Sequence, residues 1–249
     1  MLNPEKPLPV LRVRPCDLAP SALLVGDPER ASRAASLLDN PREIGNNREY
    51  RTFSGEYRGK QIIVCSHGVG GAGASVCFAE LFESGVKIAI RSGTCGALVE
   101  IINDGELIIA TGAIREDGTS ENLIPLAYPA ISSWRVIQAL LDAAKSHDEI
   151  HLHTGLVLTQ SFLYPGLLPT TTPLWMQAGA VCVEMELATL LVMAGLHGVQ
   201  AGGILTSDGN LARRKEPHLD PHTYDPNREV VRTGIQTNLS IALEALYRL

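Results

Sequence analysis

The chain has 249 residues, of which 45% are hydrophobic and 19% charged, so it can bury a sizeable core and is not globally disordered. Its net charge of −6 argues against binding to nucleic acid or to an anionic membrane, because there is no basic excess to meet phosphate groups. The five cysteines are scattered without a C-x-x-C pair, which predicts reduced thiols and a cytoplasmic location. The first residues lack the apolar core of a signal peptide, and no apolar run is long enough to span a bilayer.

Strand-like and helix-like runs alternate along the chain. Apolar runs bounded by Gly or Asp predict strands at 22–25, 61–66, 87–93, 105–114 and 200–208. Apolar residues at helical spacing predict helices within 28–38, 73–85, 132–147, 184–198 and 230–249. This alternation predicts one α/β domain over 1–249, with helices packed on a largely parallel or mixed sheet. Two polar, proline-rich stretches predict mobile loops at 164–177 and 209–227.

The stretch VGDPER (25–30) reads as a turn between a strand and a helix. Asp27 suits the N-cap and Pro28 the first helical position, so the free amides of the first turn favour an anion. Arg30 adds positive charge on the same side. On this stretch alone, a plain capped helix with a surface arginine is the favoured interpretation, because short motifs match by chance.

A second candidate site is AIRSGTCGALVE (89–100), where an apolar strand carries Arg91 at its end. Gly93 and Gly96 allow close backbone approach around Thr94, whose hydroxyl can donate a hydrogen bond. A buried arginine needs a carboxylate or a phosphate. An internal ion pair, for example with Glu100 or Glu80, and a phosphate site are equally supported by these residues.

Three further segments carry polar groups among apolar or glycine-rich residues. His67, in SHGVGGAGASV (66–76), is interpreted as a core histidine. Glu184 and Glu186 are costly to bury unless donors such as vicinal sugar hydroxyls reach them, although the start of a helix would explain one of the two. Asp208 follows a strand, where a catalytic carboxyl often lies, but on this stretch alone an ordinary Asp-Gly turn is the favoured interpretation.

Taken in order, six blocks resemble the nucleoside phosphorylase-I family, which includes hexameric purine nucleoside phosphorylases and uridine phosphorylases. They are VGDPER, NNREYRTFSGEY, SHGVGGAGASV, IRSGTCGAL, VEMELATL and GGILTSDG, and they run from about residue 21 to residue 210. NREY, VCFAEL and VEMELATL look most like the blocks of protozoan-type purine nucleoside phosphorylases. The resemblance implies a three-layer fold with a mixed, partly barrel-like central β-sheet flanked by α-helices.

The same resemblance implies an activity. This is phosphate-dependent, reversible cleavage of the N-glycosidic bond of purine (deoxy)ribonucleosides, which gives the free base and (deoxy)ribose 1-phosphate. The expected enzyme is a pentosyltransferase of purine salvage that uses inorganic phosphate as co-substrate and needs no cofactor or metal. The expected assembly is a homo-oligomer, a hexamer built as a trimer of dimers.

Site roles follow from the resemblance residue by residue. The residues expected to bind phosphate are Gly26, Arg30, Arg91, Thr94 and, reaching into a neighbouring subunit's site, Arg48. The ribose is expected to meet Glu186 with Met185 beneath it, and Glu184 is grouped with them. Asp208 is expected to serve the base as the catalytic proton donor, with a pKa raised by partial desolvation. Phe162 and Tyr164 are expected against the base, because Leu163 stands where the family carries an aromatic residue.

Several positions depart from the family pattern. Leu167 and Pro169 stand where uridine phosphorylases carry Gln and Arg, which argues against uridine. Val10 aligns with a histidine that touches a neighbour's ribose, and Arg12 is a candidate replacement. An arginine after Asp208 supports the catalytic acid in some members; the candidates here are Arg213, Arg214, Arg228 and Arg232. The alternatives are a uridine phosphorylase, a nucleosidase that uses water, and a nucleoside-binding relative with little turnover.

Overall fold

The computed structural model describes residues 3–147, 149–213 and 224–249. Over these ranges the chain forms ten β-strands and six α-helices. The strands are β1 (Ser21–Val25), β2 (Asp39–Asn47), β3 (Tyr50–Tyr57), β4 (Lys60–Ser66), β5 (Ile88–Ala97), β6 (Leu107–Glu116), β7 (Ala130–Ile131), β8 (Leu152–Gln160), β9 (Ala180–Glu184) and β10 (Gln200–Asn210). The helices are α1 (Pro28–Ala35), α2 (Gly71–Glu83), α3 (Trp134–Ala144), α4 (Thr172–Gln177), α5 (Leu187–His197) and α6 (Glu229–Arg248).

The described strands form one mixed sheet that closes on itself at one end. Their order is β10-β6-β8-β9-β5-β1-β4-β3-β2, with β7 on β6 and a further pairing between β10 and β5. The strands β5, β9, β8, β6 and β10 therefore make a closed ring, and β1 to β4 extend it as an open sheet. This confirms the predicted mixed, partly barrel-like sheet.

The long strand β5 joins the closed ring to the open part of the sheet. It pairs in parallel with β1 through Ser21–Val25, in parallel with β10 along most of its length, and antiparallel with β9 at Gly96 and Ala97. Strands covered on both faces are expected to be apolar throughout, and all five residues of β1 are buried.

Helices cover both faces of the sheet and define two apolar cores. One core joins the sheet to α2 and α5, through residues such as Phe78 and Leu190. The other joins it to α1, α3 and α6, through residues such as Ala34, Leu140 and Leu239. The result is the three-layer α/β architecture that was predicted. None of the described helices is both long enough and apolar enough to cross a membrane.

The predicted elements agree with the structure in kind, and most differences are in the bounds. Gly198 caps α5 in the left-handed conformation with φ 65°, as the stop signal predicted. The loop prediction for 164–177 was wrong at its end, because α4 occupies Thr172–Gln177. The loop prediction for 209–227 falls largely on 214–223, which lie outside the described residues. The strands β2, β3, β7, β8 and β9 were not predicted.

Candidate active site

A cavity of about 490 Å³ opens where several strands end. Its walls come from the turn after β1, the loop after β4, the middle of β5, the end of β9 and the end of β10. The site residues predicted from sequence that line it are Gly26, Arg30, Arg91, Thr94, Glu184, Met185, Glu186 and Asp208. Small-molecule sites of α/β sheets lie at such strand ends and have volumes of this order.

The turn after β1 supplies the first wall. The Asp27 side chain accepts a hydrogen bond of 2.9 Å from the backbone N–H of Glu29, which confirms Asp27 as the N-cap of α1 with Pro28 at its first position. Arg30 reaches into the cavity, where its Nε is buried and has no hydrogen-bond partner among the described residues. Burial, together with the nearby positive charge of Arg91, lowers the pKa of Arg30. An anion bound here would relieve both the unpaired donor and the repulsion.

Arg91 is 4% exposed and lies between two buried carboxylates. Its Nη1 is 3.1 Å from Oε2 of Glu184, and its Nη2 contacts Oε2 of Glu186. The internal ion pair therefore exists, but not with the suggested partners. Glu80 instead accepts hydrogen bonds from the backbone of Val10 and Leu11, each 2.8 Å.

The two carboxylates differ in what else they bind. Glu184 accepts hydrogen bonds from the hydroxyl of Thr159 at 2.6 Å and from the backbone N–H groups of Glu186 and Leu187 at 2.9 Å each, at the start of α5. Burial raises its pKa despite these donors. Glu186 accepts one backbone hydrogen bond, from Gly70 at 2.6 Å, besides its contact with Arg91. Glu184 is thus the acid explained by the helix start, and Glu186 is the one better placed to exchange partners.

Asp208 lies at a bulge in β10 and is 7% exposed. Its Oδ2 accepts a hydrogen bond of 2.7 Å from the hydroxyl of Tyr224. Burial raises the pKa of the Asp208 carboxyl, against hydrogen bonds from Tyr224 and Thr94 and the charge of Arg30, all of which lower it. The net shift is in the direction that a proton donor at neutral pH needs.

A smaller cavity of about 80 Å³ adjoins the first at Asp208. Phe162 lines it, and Leu163 lines both cavities. The structure does not place Tyr164 on the wall of either one; this side chain is 49% exposed. The apolar walls suit a flat aromatic ring.

Two residues from the sequence analysis remain: Arg48, expected in a neighbouring subunit's site, and His67, interpreted as a core histidine. Arg48 sits in the tight turn between β2 and β3 with φ 55°, exposed and outside the cavity, whereas its neighbour Glu49 lines it. His67 is fully buried, with its ring packed edge-on against Phe78, and burial lowers its pKa to about 4. Its Nδ1 is 2.9 Å from the carbonyl of Gly68, which agrees with a core histidine.

The segments that departed from the family pattern contribute unequally. Val10 and Arg12 line neither cavity of the single chain. Arg213 binds the side-chain oxygen of Asn103 at 2.9 Å, and Arg228 donates to the backbone carbonyl of Asp208 at 2.8 Å. Arg232 is exposed on α6, and Arg214 lies outside the described residues.

Sequence reasoning missed Tyr224, which borders both cavities. Its stretch, HTYDPNREV, is polar and contains a proline, and nothing in it signals a contact with Asp208, 16 residues earlier in the chain. It also undervalued the glycine-rich loop after β4, whose Gly68 and Val69 line the cavity.

The sequence pattern of the Phosphorylase superfamily matches residues 20–246. The chain belongs to this family and is an enzyme of the nucleoside phosphorylase type, a pentosyltransferase. It is 36% identical over 241 residues to the purine nucleoside phosphorylase of Plasmodium falciparum, covering 96% of this chain and 95% of that one.

Relatives of two substrate classes are similar to this chain. The uridine phosphorylase of Escherichia coli is 32% identical over 241 residues, covering 92% of this chain and 91% of that one. The crystal structure of the purine nucleoside phosphorylase of Toxoplasma gondii in complex with immucillin-H superposes with a TM-score of 0.91 at 32% identity, covering 100% of this chain and 98% of that one. These comparisons confirm the expected family and fold. They do not distinguish a purine nucleoside substrate from uridine, because relatives of both kinds are similar to this chain.

Proposed function

We propose that this enzyme cleaves purine ribo- and deoxyribonucleosides with inorganic phosphate, reversibly, to the free base and (deoxy)ribose 1-phosphate. One observation carries the proposal: a single cavity joins a buried cationic wall, a carboxylate pair and a buried carboxyl with a raised pKa. These groups match, in turn, a phosphate, a sugar diol and a leaving base. Inorganic phosphate is the co-substrate, and the proposal includes no cofactor.

At the cationic wall, phosphate would lie against Arg30, Arg91 and the hydroxyl of Thr94, with the backbone of Gly26 at its edge. Two guanidinium groups and a helix N-terminus offset the charge of a dianion. Arg91 would turn from Glu186 toward the phosphate, and this would free the Glu186 carboxylate to accept hydrogen bonds from the 2′ and 3′ hydroxyls. Met185 would pack beneath the sugar.

At the other end, Asp208 would donate a proton to N7 of the leaving purine. The glycosidic bond loosens first, to an oxocarbenium-like sugar, and phosphate then attacks C1′. Holding the two reactants in line supplies much of the acceleration. Purine is favoured over uridine because Asp208 provides an acid and because Leu167, fully exposed, stands where a uracil-reading residue would be.

A panel of nucleosides assayed with and without phosphate tests the proposal. We expect inosine, guanosine or adenosine to be consumed only when phosphate is present, and uridine to be a poor substrate. Turnover of a nucleoside in phosphate-free buffer would instead indicate a nucleosidase. Preference for uridine would contradict the purine assignment, and binding without turnover would contradict catalysis.

Arg30→Ala is expected to raise the KM for phosphate by about 10- to 100-fold, because a hydrogen bond to a charged group contributes about 1.5–3 kcal/mol. The KM for the nucleoside is expected to stay within about twofold. Steady-state kinetics with each substrate varied in turn measures both. Arg33→Ala, on the same helix and outside the cavity, is the matched control. An unchanged KM for phosphate in Arg30→Ala would contradict the phosphate role and would mean that VGDPER is only a capped helix start.

We also propose a cytoplasmic homo-oligomer, a trimer of dimers, in which Arg48 enters the neighbouring subunit's site. The five cysteines, all within the described residues, are unpaired, as a reducing compartment would keep them. The support for the exchange is that Arg48 is exposed beside Glu49, which lines the cavity.

Arg48→Ala is therefore expected to raise the phosphate KM by about tenfold or more without changing the fold of the subunit. The activity of a mixture is informative. Combining Arg48→Ala with Arg30→Ala subunits is expected to restore some complete sites if Arg48 acts across the interface. Sedimentation of the wild type as a monomer, or a mixture no more active than its parts, would contradict the exchange.

A further inference from the structure

We infer that Tyr224 is the positioning residue of the catalytic acid: its phenol holds the Asp208 carboxyl in the orientation for proton donation. The inference deepens the proposed function and rests on it. It begins from one contact, the hydrogen bond of 2.7 Å from the Tyr224 hydroxyl to Oδ2 of Asp208. Tyr224 also borders both the larger cavity and the adjoining smaller one, so it stands where the base would meet the acid.

The direction of this hydrogen bond decides where the acid proton lies. Burial, followed by the charge of Asp208, raises the pKa of the Tyr224 hydroxyl, so the phenol stays protonated and acts as the donor. A protonated carboxyl has one O–H donor, and its other oxygen can accept. Because Oδ2 accepts from Tyr224, we place the acid proton on the other oxygen, Oδ1, for donation to the base. The contact therefore selects one of two orientations of the proton.

The chain around Tyr224 holds it in place. Four residues further on, the Arg228 side chain donates to the carbonyl of Asp225 at 2.9 Å and to the carbonyl of Asp208 at 2.8 Å, and it also pairs with Asp104. This clamp ties the segment 224–228 to the end of β10. Arg228 thus binds the backbone of Asp208, whereas Tyr224 binds the Asp208 carboxyl group itself.

A neutral phenol and a cationic side chain would affect the pKa of this carboxyl differently. A guanidinium against Asp208 would favour the ionised carboxylate more strongly. A phenol fixes the geometry with a weaker preference for the ionised form, and burial still raises the pKa of Asp208. The charged or titratable groups near this carboxyl include Arg30 from α1, Asp104 before β6, Cys95 from β5, Tyr224, and Arg228, which binds the backbone carbonyl of Asp208.

Tyr224→Phe tests the inference, because it removes one oxygen and keeps the ring. We expect kcat for the purine nucleoside to fall by about 10- to 100-fold, since a misplaced catalytic group costs that much. The KM for phosphate is expected to stay within about twofold. Tyr247→Phe, which removes a hydroxyl from α6 where the ring packs on Tyr57, is the matched control and is expected to retain wild-type kcat.

The pH profile provides a readout that a purely structural role would not change. Tyr224 donates to the ionised carboxylate, so its loss raises the pKa of Asp208 further. An acid must be protonated to donate, so the alkaline limb of kcat is expected to move to higher pH in Tyr224→Phe. A double-mutant cycle gives a second readout: in the Asp208→Asn background, Tyr224→Phe is expected to cause no further loss.

The outcomes separate this inference from the proposed function. A wild type with no phosphate-dependent turnover would overturn both. An active wild type, with unchanged kcat and an unmoved alkaline limb in Tyr224→Phe, would overturn the inference alone. Equal losses in the Asp208 and Asp208→Asn backgrounds would also overturn it, because the tyrosine would then act without the carboxyl.

Discussion

Replacing Asp208 with asparagine is expected to lower kcat for purine nucleosides by about 10²- to 10⁴-fold, the usual contribution of a general acid. Asparagine keeps the shape of the side chain and can still accept the hydrogen bond from Tyr224. It cannot deliver a proton to the leaving base. The loss is therefore expected in kcat, with the KM for phosphate within about twofold of the wild type.

The pH dependence of the same variant gives an independent check. Because burial raises the pKa of Asp208, the wild-type carboxyl keeps its proton to a higher pH than an ordinary aspartate. As pH rises through that raised pKa, the proton donor is lost and kcat falls. Asp208→Asn is expected to lack this alkaline limb. Asp142→Asn, in α3 and outside both cavities, is the matched control. Full activity of Asp208→Asn on inosine or guanosine would show that the acid role is wrong.

Arg91→Met is expected to lower the free energy of unfolding by about 3–5 kcal/mol at neutral pH, and to abolish phosphate-dependent turnover with it. Methionine fills much of the space of the arginine side chain but leaves Glu184 and Glu186 buried without their cation. Breaking a buried ion pair on one side costs this much because the remaining charges cannot be hydrated. Urea denaturation followed by circular dichroism measures the change.

The sign of the pH effect follows from Glu184. Burial raises the pKa of this carboxyl and the charge of Arg91 lowers it, so removing Arg91 raises the pKa further above its value in the unfolded chain, and the folded state takes up the proton first. Stability is then gained as pH falls toward the unfolded pKa and lost as pH rises. The defect of Arg91→Met is therefore expected to be smaller in mildly acidic buffer than at neutral pH.

Arg248→Met provides the comparison for this prediction. It removes the half-exposed partner of Glu244, which keeps a second ion pair with Arg58, and is expected to cost less than about 1 kcal/mol. If Arg91→Met cost no more than this control, the triad would not be the buried ionic centre that the structure shows.

The sequence was sufficient to locate the residues that come straight after buried strands. Apolar runs that predict strands contain or directly precede Gly26, Arg91 and Asp208. The carboxyl ends of parallel strands meet at one edge of a sheet, so these residues are expected to lie close together. Local signals of this sort, such as the Asp-Pro start of α1 and the glycine that ends α5, depend on the backbone of a few residues. Such local signals are reliable because tertiary contacts rarely change the backbone conformation that they specify.

The partners of Arg91 could not be predicted, because they depend on the pairing of β9 with β5. The strand β9 has only five residues, and its apolar residues continue directly into those of α5, so no boundary between a strand and a helix is evident in the sequence. Strand β2 was missed for another reason: it is a polar edge strand, largely exposed, with irregular pairing around Pro41. Neither carries the period of two that identifies a half-buried strand.

The far end of the site was the least predictable. Whether Phe162, Leu163 or Tyr164 faces the base depends on a loop, and the structure places Phe162 and Leu163 on the walls and leaves Tyr164 outside. Tyr224 reaches Asp208 only because the chain returns across the end of β10 and is held there by Arg228. Tyr224 lies outside the strands and helices, so no periodic pattern in the sequence marks its contact with Asp208.

The central claim is that inorganic phosphate, held by Arg30 and Arg91, is the nucleophile at C1′. The most direct measurement is ³¹P NMR of the enzyme with inosine and phosphate. We predict a new sugar phosphomonoester resonance that grows in proportion to the hypoxanthine released, while the inorganic phosphate signal falls equally. Release of hypoxanthine with free ribose and no new phosphorus resonance would contradict the claim.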